Sequence, residues 1–204
     1  MTITGTVRIP CPHCKQEQES KLVQSINARQ NPELKARLLA GDLNMFDCAS
    51  CGKRTLLLAT LLYHDPDREY FCQACPGGEP AMTAGAAAFL AIGAVGTRRL
   101  VPSQNALVEK VKLLEAGLDD RVIEVLKVIL LAADNEDLNS ILLFDQVDRD
   151  AGLLRWILLK PDRAVTSPLA AYDKLALTLK PTDDLRIDRA WALEAARAMM
   201  TNAN

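Results

Sequence analysis

Pro10-Cys11-Pro12-His13-Cys14-Lys15 and Cys48-Ala49-Ser50-Cys51-Gly52-Lys53 are the two stretches from which the fold of this chain is read. In each, two residues separate the cysteines, so one tight turn aims both sulfurs at a single point. Two such turns complete the tetrahedron that Zn²⁺ prefers. A third pair, Cys72-Gln73-Ala74-Cys75, uses up the remainder of the 6 cysteines. Working outward, Thr2 to Ile9 alternates loosely with Ile3, Val7 and Ile9 apolar, and delivers the first pair from a strand. Asn31-Pro32-Glu33 reads as N-cap, first-turn proline and acidic first turn of a short helix that Gly41 stops. Leu43 to Phe46 leads into the second pair, and Leu56 to Tyr63 leaves it as an apolar run with strand character. Gly52 is free to take a positive φ, turning nearby N–H groups towards thiolate sulfur, while Lys53 and Arg54 offset the charge of a four-thiolate centre.

Which pairs share an ion is open on spacing. Thirty-three residues separate Cys14 from Cys48, whereas 20 separate Cys51 from Cys72, and the shorter gap is nearer that of a compact ribbon. The long first insert carries its own strand and helix, however, so the first two pairs can also meet as a ribbon with an elaborated arm. In that case Cys72 and Cys75 are spare, redox-active, or a half-site completed by His13, His64 or another chain.

Composition narrows the function classes. The 204 residues are 49% hydrophobic, enough for one or two domains with a sizeable core, and only 4% aromatic, which disfavours a base-stacking sheet. The formal net charge of −2 leaves no basic excess of the kind nucleic-acid binders show. Nucleic-acid binding is therefore the weaker alternative, and it would use Lys15, Lys21, Arg29, Lys53 and Arg54. The start, Met-Thr-Ile-Thr-Gly, has no charged region followed by an apolar one, so the expected location is the cytoplasm, where paired cysteines hold metal more often than they form disulfides. No G-x-S-x-G, P-loop, G-x-G-x-x-G or H-E-x-x-H motif occurs, and the 2 histidines, His13 and His64, lack an evident nucleophile or base partner. The expectation is a protein without enzymatic activity.

Beyond the cysteines, Pro76-Gly77-Gly78-Glu79-Pro80 reads as a hinge, followed by a run of small apolar residues from Ala81 to Gly96. That run is too short for a bilayer, which takes about 20 residues, and is expected to be a connector. Ser103 to Ala116 predicts a helix closed by Gly117, and Asp119-Asp120 opens a second with a wide apolar face of Val122, Ile123, Val125, Leu126, Ile129 and Leu130. The two should form a hairpin. Glu109, Lys110 and Lys112 are expected on its solvated side, and the wide face should meet a sheet or another subunit. Asn139 to Phe144 and Leu153 to Leu159 predict a β-hairpin around Asp145, Asp148 and Asp150, whose spacing lacks the glycine and closing glutamate of a calcium loop. Helices are expected from Ser167-Pro168 to Thr178 and from Asp188 to Met200, with Trp191 in the core.

With these features in view, the chain resembles the bacterial CpXC domain family, named for a Cys-Pro-x-Cys motif that Cys11-Pro12-His13-Cys14 matches. Further similarity lies in Cys48-Ala49-Ser50-Cys51-Gly52, Tyr63-His64-Asp65-Pro66, Gly117-Leu118-Asp119-Asp120-Arg121-Val122-Ile123-Glu124 and Asp188-Arg189-Ala190-Trp191-Ala192. The third cysteine pair and the Ala/Gly run after it depart from the family pattern. The resemblance implies Cys11, Cys14, Cys48 and Cys51 as the ligands of one Zn²⁺, and it implies no reaction. The expected fold class is α+β: a small antiparallel sheet containing a zinc ribbon, a helical hairpin and C-terminal α/β elements. Its expected parts are a ribbon-like region at 1–80, a connector at 81–102 and a helical hairpin with α/β elements at 103–204. The expected function is structural zinc binding that supports interaction with a protein partner or with itself, and loss of Cys48 or Cys51 is expected to unfold the N-terminal part. The alternatives are a nucleic-acid-binding ribbon and a thiol redox sensor using Cys72 and Cys75.

Overall fold

The computed structural model describes residues 2–160 and 162–202, and the chain divides into two compact units, Met1–Val108 and Glu109–Asn204. The first unit runs β1 (Ile3–Pro10), β2 (Glu17–Asn27), α1 (Pro32–Leu39), β3 (Met45–Asp47), β4 (Arg54–Leu56), β5 (Leu61–Asp65), β6 (Tyr70–Ala74), α2 (Glu79–Ala91) and β7 (Thr97–Val101). Five of these strands form one sheet in the order β1-β2-β5-β6-β7, and β3 pairs with β4 as a separate ribbon. The fold class is α+β, as the sequence implies. Within the large sheet, however, β2–β5 and β6–β7 are parallel, while β1–β2 and β5–β6 are antiparallel. The apolar run expected as one strand from Leu56 to Tyr63 is broken: its start ends β4 and its end begins β5, with Leu58 exposed between them.

The stretch 81–102, expected as a connector, holds most of α2 and all of β7, and β7 is hydrogen-bonded into the first sheet beside β6. Gly85 of α2 serves close packing. A Cβ there would lie 2.8 Å from Leu100 Cδ2 and 2.9 Å from Gln73 Nε2, so glycine lets the helix settle on β6 and β7 without moving those side chains.

A third helix, α3 (Gln104–Ala116), begins in the first unit and ends in the second. The second unit continues with α4 (Asp120–Ala133), β8 (Leu142–Asp148), β9 (Leu153–Leu159), β10 (Asp162–Pro168), α5 (Leu169–Ala176) and α6 (Arg189–Asn202). The wide face of α4 meets a sheet and a helix within this unit, except that Ile129, expected on it, is exposed. Leu113, Ile123 and Leu126 share a core with Leu142, Phe144, Leu154 and Trp156 of β8 and β9, while Val125 and Val128 pack on Ala192 of α6. The expected hairpin β8–β9 is present, and β10 adds a third antiparallel strand that the sequence reading omits. Trp156, fully buried, donates its indole N–H to Ser167 Oγ at 3.0 Å. Trp191, expected in the core, is only half-buried and donates to Asp184 at 2.9 Å.

Candidate metal centre

The two cysteine turns close the β1–β2 and β3–β4 hairpins, and each is held by the same pair of backbone hydrogen bonds. In the first, Cys11 N–H donates to Gln16 O and Lys15 N–H to Cys11 O, both at 2.9 Å. In the second, Cys48 N–H donates to Lys53 O at 3.0 Å and Gly52 N–H to Cys48 O at 2.8 Å. The fifth residue of each turn is left-handed, Lys15 and Gly52 both having φ of 66°. Glycine takes that conformation without steric cost; lysine does not.

The facing turns bring the sulfurs of Cys11, Cys14, Cys48 and Cys51 all within 4.8 Å of one another. Cys11 Sγ lies 3.7 Å from Cys51 Sγ, and Cys14 Sγ lies 3.6 Å from Cys48 Sγ. These separations are far beyond the S–S bond of about 2.0 Å in a disulfide. They match the edge of a tetrahedron with metal–sulfur bonds of about 2.3 Å, which is about 3.8 Å. Four soft sulfur donors at that spacing could hold a metal ion such as zinc, so the donor set fits.

Electrostatics point the same way. The Cys14 backbone N–H is the main influence holding the Cys11 thiol down at about 6; burial opposes it, and the His13 N–H at 3.4 Å and the Cys48 and Cys51 thiols add to the lowering. Cys51 goes the other way. Although the Lys53 N–H lowers it, burial and hydrogen bonds to the other three sulfurs push it up to about 12. The Cys11 thiolate thus forms easily, whereas Cys51 keeps its proton unless a cation replaces it.

Other residues singled out in the sequence fall elsewhere. Cys72 and Cys75 lie outside the sulfur group. Cys72 is within β6, not at a turn, and a strand sends positions i and i+3 to opposite faces, so this pair does not chelate as the first two do. Both are 0% exposed, and burial pushes the Cys75 thiol up, the opposite of what a reactive thiol requires. His13 lies 3.4 Å from Thr55 Oγ1, and His64 stacks on Phe71 with ring centroids 4.1 Å apart; neither joins the sulfurs. Arg54, expected to balance the thiolates, is committed to Asp42 at 2.9 Å and Asp47 at 3.5 Å, and Arg29 to Asp67.

Two amide side chains escape the sequence reading. Gln18 of β2 donates to Asp47 O at 2.8 Å and accepts from Ala49 N–H at 2.9 Å, gripping the backbone on both sides of Cys48. Asn44, buried and left-handed at φ of 57°, accepts from Val23 N–H at 2.8 Å and donates to Val23 O at 2.9 Å. An asparagine interrupting the apolar run Leu43 to Phe46 was the available signal, since it tolerates left-handed backbone and mimics a peptide group.

The second unit holds a polar cluster that the sequence reading misplaces. Glu109 and Lys110, expected on a solvated face, are 7% and 4% exposed. Lys110 Nζ meets Asp120 at 2.9 Å, Glu124 at 3.4 Å and Ile187 O at 3.0 Å, and Lys127 Nζ meets Glu109 at 2.8 Å and Glu124 at 3.0 Å. Glu109 also accepts from Phe144 N–H at 2.6 Å. Burial alone would lower Lys110 and raise Glu124, but their partners overcome it, raising Lys110 and lowering Glu124.

A CpXC protein family model matches residues 9–127, more than half of the 204-residue chain, and the chain belongs to that family. The match takes in the four clustered cysteines, Gln18, Asn44 and all five charged residues of the buried network. Comparison with curated proteins and with solved structures returned no match.

Proposed function

Proceeding from membership of the CpXC family, we propose that this chain is a non-enzymatic zinc-binding protein whose four-cysteine ribbon supports protein–protein interaction or self-assembly in the cytoplasm. The observation that carries the reading is the sulfur spacing of 3.6 and 3.7 Å across the facing turns, held by Cys11, Cys14, Cys48 and Cys51. Zinc bound by four thiolates cross-links the turns and keeps no coordination position open for a substrate, which supports a structural role over a catalytic one. An interaction role draws support from the far end of α2, where Leu90, Ile92 and Val95 are exposed in a stretch without a charged side chain from Pro80 to Thr97.

No observation favours the two alternatives. The arginines proposed for nucleic acid are paired with carboxylates, and Cys72 and Cys75 are buried. Native mass spectrometry of protein purified without chelator tests the proposal. One zinc per chain and no disulfide mass loss is the expected spectrum; a metal-free chain with oxidised cysteines would overturn it.

A further inference from the structure

We propose that Gln18 and Asn44 are positioning residues that assemble the sulfur cage before any metal arrives. The inference rests on the metal reading above and adds to it how the site is kept ready.

The β3–β4 hairpin has no backbone ladder to the five-stranded sheet. The edge of β2 that faces away from β1 pairs with β5 only over Ser25–Asn27, so its lower part lacks a neighbouring strand. The two amide side chains span this gap. Asn44 gives Val23 both halves of a β-ladder rung at the base of the hairpin, and its own carbonyl accepts from Leu57 N–H at 2.9 Å, closing that base. Gln18 supplies a second two-way rung near the turn, to Asp47 O and Ala49 N–H. Each amide spends a donor and an acceptor, so each fixes direction as well as distance. One rung at the base and one at the tip stop the hairpin from pivoting, and Phe46 between them is 1% exposed against Cys11 and Cys48. The second turn is thereby aimed at the first by contacts that involve no sulfur. This revises the expectation that losing Cys48 or Cys51 would unfold the N-terminal part: metal loss should loosen the turns and leave the hairpin docked.

The test uses the full chain, stripped with a chelator under reductant, with Co²⁺ as the probe. Hydrogen exchange in the metal-free protein should find the Ala49 and Val23 amides protected. Gln18→Met, which keeps side-chain length and removes both hydrogen bonds of the rung at the tip, should abolish Ala49 protection and weaken Co²⁺ affinity by about 10- to 100-fold, the usual range for loss of a group that orients a ligand. The thiolate-to-cobalt charge-transfer band should keep its position, because the four sulfurs remain the donors. Gln18→Glu retains the acceptor for Ala49 and should fall between the two, a graded order that a general loss of stability would not produce. Freely exchanging Ala49 in the metal-free wild type, or unchanged cobalt affinity in Gln18→Met, would overturn the proposal. Protected Ala49 in a reduced wild type that takes up no cobalt would support the docking role and overturn the metal reading, so the two failures are distinguishable.

Discussion

In the first unit, four sulfurs converge from two surface turns, with Cys14 and Cys51 exposed; in the second, five charged side chains converge between helices and are buried. The sulfur group does not balance itself: Cys11 is lowered and Cys51 raised, and a cation among the sulfurs would let both ionise together. The charged group is nearly self-sufficient. Two ammonium groups face three carboxylates, and the remaining negative charge includes Asp120 in the first turn of α4, where the helix presents its positive end. Buried charge that is fully partnered contributes little net stability compared with apolar packing, yet removing one member is costly. The first unit's polar centre has the geometry of a site that could hold an added ion, whereas the second's supplies its own partners.

The sharpest way to break this contrast is to delete one cation. Lys110→Met takes one cation from Asp120 and Glu124 and should cost about 3–5 kcal/mol in urea denaturation followed by tryptophan fluorescence. A cost below about 1 kcal/mol would put the network on a par with exposed ion pairs and erase the distinction. Asn44→Ala strips both backbone groups of Val23 and should cost about 2 kcal/mol, confined to hydrogen exchange in the first unit.

A smaller and graded difference should appear with pH. Lys110 is raised, so its stabilising contribution is present below the ordinary lysine value of about 10.4 and lost as pH rises through its folded value. Glu124 is lowered, so its contribution is present above about 4.3 and lost as pH falls through its folded value. The second unit should therefore hold a plateau between about pH 5 and 10, monitored by near-ultraviolet circular dichroism. Bound metal in the first unit should instead be released steadily as pH falls, because protons compete with the ion for every sulfur, as read by a colorimetric chelator. The smallest effect is a gain. Lys15→Gly relieves the left-handed lysine of the first turn and should add about 0.5–1 kcal/mol to the first unit alone.

Legibility in the sequence divides along similar lines. The cysteine turns were readable because six consecutive residues contain the whole device, ligands and left-handed position included. Their partnership was not fixed by spacing, which favoured Cys48 and Cys51 with Cys72 and Cys75; it was the family resemblance that ranked first the two pairs whose sulfurs lie together. C-x-x-C says nothing by itself about whether its backbone turns or extends, and Cys72 lies in a central strand. The network was illegible from α3 because Glu109 and Lys110 look like ordinary surface charges there. Asp120, Glu124 and Lys127 at i, i+4 and i+7 form one charged stripe on a helix whose remaining residues, Arg121 apart, are apolar, and that stripe was the overlooked sign. Gln18 sits in a polar return that offers no local hint of a partner 29 residues away.

The matching turns carry a kinetic consequence. Each contributes one enclosed sulfur, Cys11 or Cys48, and one at the surface, Cys14 or Cys51. An ion held there would be anchored from within and reached from without, because a competing thiol would meet Cys14 and Cys51 before the enclosed pair. Its departure would then depend on the concentration of the competing ligand.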